Sequence, residues 1–78
     1  MAYDNVERLG AEPALTGPAS RGDAGTIDRH LAALSVAAPG VIPAYVAMAR
    51  VALDLAERGG HLSRDRRVAC EDVLARWS

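Results

Sequence analysis

The sequence predicts an all-α domain, a small bundle of about four helices. Three observations predict it. Apolar residues recur with helical spacing in 23–37 and 63–77 and fill 42–58 almost completely. Clusters of Gly and Pro separate these stretches at 10–22, 39–40 and 59–60. The β-branched residues stand isolated among alanines, so no stretch alternates with the period of a strand.

The first element is a short helix over 2–9. Val6 and Leu9 share a face, and Gly10 sits where a C′ glycine stops a helix. Eight residues do not hold a helix alone in water, so this reads as the end of a longer helix or as a segment that docks on something. Residues 10–22 are a connector, broken by Pro13, Pro18 and three glycines into a defined turn path.

The second helix runs over 23–37. Asp23 is its N-cap, because a carboxylate there accepts orphan N–H groups and complements the helix dipole. Ile27, Leu31 and Leu34 form one buried stripe. Gly25 is a poor helix former, which points to a close approach at that position. Pro39-Gly40 ends this helix.

The third helix runs over 42–58, with Pro43 in its first turn, where a missing N–H is harmless. It is apolar over most of its circumference and therefore needs cover on more than one side. Arg50, Asp54 and Arg58 are spaced to form a salt-bridged ridge along it. Gly59-Gly60 stops it. The fourth helix runs over 63–77, capped by Ser63. Cys70, Val73, Leu74 and Trp77 make its apolar stripe, and Arg64, Arg66, Arg67, Glu71 and Asp72 its mixed-charge outer face.

Composition bounds the function. The chain has 78 residues, room for one domain at most. A chain of this size buries only about 60% of its unfolded surface. Ala, about a fifth of the residues, adds little area, and there is no Phe. A partner surface is therefore expected. A net charge of −1 argues against a nucleic-acid binder. An apolar fraction of 50% excludes full disorder. The single cysteine excludes a disulfide framework or a multi-Cys metal site and fits a reducing cytosol. No apolar run is read as reaching the roughly 18 residues of a membrane span. Met1 is not followed by a signal-type segment, so a cytoplasmic protein is expected. All nine basic residues are Arg, which with the alanine content points to a GC-rich bacterial gene.

One polar cluster carries possible chemistry. Asp23, Thr26 and His30 fall at i, i+3 and i+7 of the second helix, and Arg21 precedes them. A guanidinium, a carboxylate, a hydroxyl and an imidazole near a helix N-terminus suit an anionic or carbonyl substrate. His30 is then an acid or base near neutral pH. The purely structural reading has Asp23 capping the helix, Arg21 paired with it, Thr26 on the backbone and His30 bordering the stripe. His61 reads as a solvated loop residue, Cys70 as core, and Trp77 as an anchor for the last helix. Arg64, Arg66 and Arg67 lie at the unfavourable end of a helix for cations, which leaves an interaction patch open. Two histidines without supporting ligands make no metal site. The tripeptide Arg21-Gly22-Asp23 spells an adhesion motif, but no secretion signal supports it. There is no phosphate loop, GxGxxG or GxSxG.

The string Leu15-Thr16-Gly17-Pro18, then Arg21-Gly22-Asp23, Thr26, His30-Leu31 and Pro43-Ala44-Tyr45, is a resemblance. It resembles the C-terminal helical domain of bacterial two-domain Rossmann-like proteins, the family carrying the domain of unknown function 2520. That family is related in architecture to ketopantoate reductase and pyrroline-5-carboxylate reductase. The resemblance implies a helical domain like the C-terminal domain of 6-phosphogluconate dehydrogenase. It also implies an NAD- or NADP-dependent oxidoreductase in which this domain closes the substrate cleft and forms the dimer. Carried over by position, Thr16, Arg21, Asp23, Thr26 and His30 become cleft candidates, with no catalytic step assigned to any of them. The nucleotide-binding domain of such proteins is absent from these 78 residues. The chain is therefore expected to bind no dinucleotide alone and to be a fragment, a truncated frame or a split subunit. Its expected partners are a second copy or a Rossmann-domain chain. The alternative is a stand-alone helical interaction protein without enzymatic activity.

Overall fold

The computed structural model describes residues 17–78. The helix expected over 2–9 and the first part of the connector lie outside them, as does Thr16. The described residues form an all-α domain. Helix α1 spans Ala24–Ala37, α2 spans Ile42–Arg58 and α3 spans Arg64–Trp77, with a 3₁₀ turn at Pro39–Val41 between α1 and α2.

Local chemistry sets each boundary. Residues 17–22 fold into successive turns, in which Asp23 N–H donates to Pro18 O at 2.9 Å and the Ser20 hydroxyl to Gly17 O at 2.8 Å. Asp23 caps α1 by accepting from Thr26 N–H at 3.1 Å. Pro39 cannot continue α1, because it has no N–H and its ring clashes with the preceding turn. Pro43 then lies in the first turn of α2. The end of α2 is a Schellman motif. Gly60, at φ +76°, takes the left-handed position; its N–H donates to Glu57 O at 3.1 Å, and His61 N–H donates to Ala56 O at 2.9 Å. Ser63 caps α3 by accepting from Arg66 N–H at 3.3 Å.

The core collects Ile27 and Leu31 from α1, Val46, Ala49, Ala52, Leu53 and Ala56 from α2, and Cys70, Val73 and Leu74 from α3. Ala19 and Leu62 close it from the two loops. Leu34, expected in the α1 stripe, is only half-buried. Burial pushes the Cys70 thiol above its ordinary pKa, with smaller contributions from the charges of Asp23 and Glu71, so the residue stays a neutral core thiol.

The charges do not form the ridge expected along α2. Arg50 reaches across to Glu71 at 3.4 Å, and Asp54 accepts from Arg67 at 2.6 Å. Arg67 also pairs with Glu57 at 2.9 Å and Glu71 at 3.4 Å. It was expected on the outer face of α3, yet its side chain is only 18% exposed and lies in the α2–α3 seam. The hydrogen bond to Asp54 is the main cause that raises its pKa above the ordinary arginine value. Trp77 anchors the last helix as expected, by donating from Nε1 to Asp28 of α1 at 2.9 Å.

Magnitudes separate the two contributions. Ile27, Leu31, Leu53 and Leu74 are fully buried, and each contributes about 1.5–3 kcal/mol. An exposed pair such as Arg64–Glu57 contributes about 0–1 kcal/mol. Apolar burial holds the fold together, and the ion pairs fix how α2 and α3 align.

The stretch Pro39–Arg58 is long and apolar enough, by length and composition, to cross a membrane, contrary to the sequence reading. In this fold its Leu53 and Ala56 are fully buried among the other elements, and its Arg50, Asp54 and Glu57 pair with α3.

Candidate functional site

Of the five cleft candidates, Thr16 lies outside the described residues. The other four do not form one cluster. Asp23 and Thr26 are joined: the Thr26 hydroxyl donates to Asp23 Oδ2 at 2.7 Å and accepts from Arg29 Nη2 at 2.9 Å. His30 turns away toward α2, where its Nδ1 and the Tyr45 hydroxyl share a hydrogen bond of 2.9 Å. The two rings meet edge-on, 6.0 Å apart at 89°. Arg21 faces α3 instead. Its carbonyl accepts from Arg66 Nη1 at 3.1 Å, and it lines a hollow with Ser20, Ala56, His61 and Arg66.

The Asp23–Thr26 unit is explained by capping. The Thr26 hydroxyl, then the Thr26 N–H, then the weaker charges of Arg29 and Arg21 hold the Asp23 carboxyl below its ordinary pKa of 3.8, against a small opposing effect of desolvation. A lowered folded-state pKa gives stability that is present above the unfolded value and lost as pH falls through the folded one. The melting temperature of Asp23→Asn is therefore expected to lie below that of the parent at neutral pH, because Asn caps without charge. The gap should close as the pH is lowered from about 4 to about 2. A thermal melt series across that range checks this, and a gap constant with pH contradicts it.

The His30–Tyr45 pair stands beside a nearly all-apolar hollow of about 160 Å³, lined by Gly17, Pro18, Ala19, Tyr45, Met48, Ala49 and Ala52. Burial raises the Tyr45 pKa above its ordinary 10.0, so the phenol stays protonated at neutral pH. Which of the two groups donates in this bond follows the imidazole tautomer. His30 is exposed and Tyr45 half-buried. Sequence reasoning missed the role of Tyr45. It lies fifteen residues beyond His30, across the Pro39–Val41 turn, so no local spacing joins them. The available signals were that Tyr45 is the single aromatic on an aliphatic helix and that Pro43-Ala44-Tyr45 belongs to the string that carries the family resemblance.

The family model of the domain of unknown function 2520 (DUF2520) matches residues 1–52, two thirds of the chain. The chain belongs to the DUF2520 family. No curated protein and no solved structure matches it. The matched DUF2520 segment ends at Ala52, and so contains every residue of the apolar hollow and both members of the His30–Tyr45 pair. The hollow around Arg21 is different, because Ala56, His61 and Arg66 follow the matched segment. No group of three or more His, Cys, Asp or Glu among the described residues is placed to hold a metal ion.

Proposed function

We propose that this DUF2520 chain is the substrate-cleft and dimerisation domain of an NAD(P)-dependent oxidoreductase. The observation that carries the reading is the His30–Tyr45 pair at the edge of the apolar hollow, all within the segment that the family model matches. An apolar cavity of about 150 Å³ admits a six-membered carbon ring. The site therefore suits a small apolar carbonyl or hydroxyl compound, its carbon body against Ala49 and Ala52 and its oxygen at Tyr45. Tyr45 and His30 would hold or pass the proton that such an oxygen gains or loses.

The described residues do not fit the dinucleotide. Its phosphates need a strand, a glycine-rich turn and a helix, and no strand occurs among the described residues. We derive no step through the nicotinamide, and assign it to a Rossmann domain on this or a separate chain. That domain, or a second copy, would cover the outward stripe of α2, where Met48, Val51 and Leu55 are exposed at i, i+3 and i+7. The reading places the protein in the cytoplasm, with neither nucleic acid nor membrane as a partner. The near-zero net charge and the ion pairs of α2 support it.

The exposed stripe by itself favours a second reading, a stand-alone helical homo-oligomer that acts by interaction. The test is to capture the native species with an antibody to this segment. Its mass and its NADPH oxidation with a panel of small ketones and 2-oxo acids are then measured. We expect a species or complex well above 8.2 kDa that oxidises NADPH. His30→Ala should slow it about a hundredfold with helicity unchanged. A homo-oligomer of the 8.2 kDa chain, indifferent to nicotinamide nucleotides, overturns this reading in favour of the second.

A further inference from the structure

The apolar hollow beside the His30–Tyr45 pair has walls of two kinds. Most of them are fixed. Ala19, Ala49 and Ala52 are buried and have no rotamers to change. The turn before α1 is pinned through its carbonyls. Gly17 O accepts from the Ser20 hydroxyl at 2.8 Å, Pro18 O from Asp23 N–H at 2.9 Å and Ala19 O from Gly22 N–H at 3.1 Å. Tyr45 is half-buried and is held at its hydroxyl by the 2.9 Å hydrogen bond with His30.

Met48 is the exception. It lines the hollow, yet it is 68% exposed and stands outside the core cluster. A methionine side chain is unbranched, turns about three bonds and fills irregular gaps, so this wall can move. Any other lining residue would have to break a hydrogen bond or disturb buried packing to do the same. Met48 also follows Tyr45 by three residues on α2, which puts the two on neighbouring positions of one helix face. A ring anchored by its oxygen at Tyr45 and lying against Ala49 and Ala52 runs along α2 past Met48.

We propose that Met48 is the specificity-determining residue of this hollow. Its side chain closes over the ring of a bound alcohol or ketone and limits the bulk that the ring can carry opposite its oxygen. This inference rests on the reading of the hollow as the substrate site. The volume of about 160 Å³ is filled by an unsubstituted six-membered ring, so a larger ligand needs the space that Met48 occupies.

The test is an NMR titration of the 78-residue chain, labelled in its alanine methyls, with cyclohexanol and with 4-ethylcyclohexanol. Cyclohexanol is expected to shift the methyls of Ala49 and Ala52 saturably, with a Kd of about 1 mM. The parent should bind 4-ethylcyclohexanol about threefold more weakly, although it is the more apolar of the two. Met48→Ala should reverse that order by about the same factor, because the freed space buries the two added carbons while cyclohexanol loses its contacts with the thioether. Val51→Ala, which truncates the next residue of the same exposed stripe, should leave the order as in the parent. Circular dichroism checks that the variants fold, and an order of affinities is not moved by a small loss of stability. Binding with the same order in Met48→Ala as in the parent, or the same reversal in Val51→Ala, overturns the role of Met48 and leaves the site standing. Linear shifts with both alcohols in every variant overturn the site itself.

Discussion

Leu53→Ala is expected to cost about 2–5 kcal/mol, enough to leave much of the domain unfolded. Leu53 is fully buried at the centre of α2, between the faces of α1 and α3. Its removal loses the transfer energy of the side chain and leaves a cavity that rigid helix backbones do not fill. Natural domains hold about 5–15 kcal/mol in total, and a chain of this size belongs at the low end. Leu55, two residues on, is 36% exposed on the opposite side of the same helix. Leu55→Ala should cost about 1 kcal/mol or less. Urea denaturation followed by circular dichroism compares them. Equal midpoint shifts would mean that α2 buries a different face.

The second large effect is at Gly22. Its φ of +69° lies in the left-handed region, where an L side chain is strained by about 1–2 kcal/mol. An added Cβ would also lie 2.6 Å from Arg66 Cβ in the first turn of α3 and 2.7 Å from Leu62 Cδ1 in the loop before it. Gly22→Ala is therefore expected to cost about 2–4 kcal/mol, strain and overlap together. Gly25→Ala is the counterpart. An added Cβ there meets nothing closer than the flexible end of Arg29 at 3.6 Å, so the substitution should stabilise α1 by about 0.5 kcal/mol. Denaturation midpoints moving in opposite directions confirm both. A neutral Gly22→Ala would show that the turn before α1 does not press on α3.

This pair of glycines shows where sequence reading reached its limit. Gly25 drew attention because a glycine inside a helix is locally anomalous, yet an added Cβ there would make only ordinary contacts with the Arg29 and Asp23 side chains. Gly22 looked like one more connector glycine. Its constraint comes from Leu62 and Arg66, forty or more residues away, and no local spacing encodes that. The candidate site divided for the same reason. Asp23 and Thr26 were legible together because a cap joins residues three apart on one helix turn. His30 went to Tyr45 and Arg21 to Arg66, partners that only the packing of α1 on its neighbours supplies.

The sequence by itself determined the three helices among the described residues and their ends. Asp23, Pro39, Gly60 and Ser63 act within a few residues of themselves, through N–H groups, ring geometry and the left-handed turn. It also determined the apolar stripe that Cys70, Val73 and Leu74 bury, because helical periodicity is a local property. Only the tertiary structure decided which cation meets which carboxylate, and so moved Arg67 into the α2–α3 seam while Arg66 faced a hollow. Charge pairing acts through space over a few ångströms, and the helix angles and loop paths that set those distances arise only when the apolar faces close on one another.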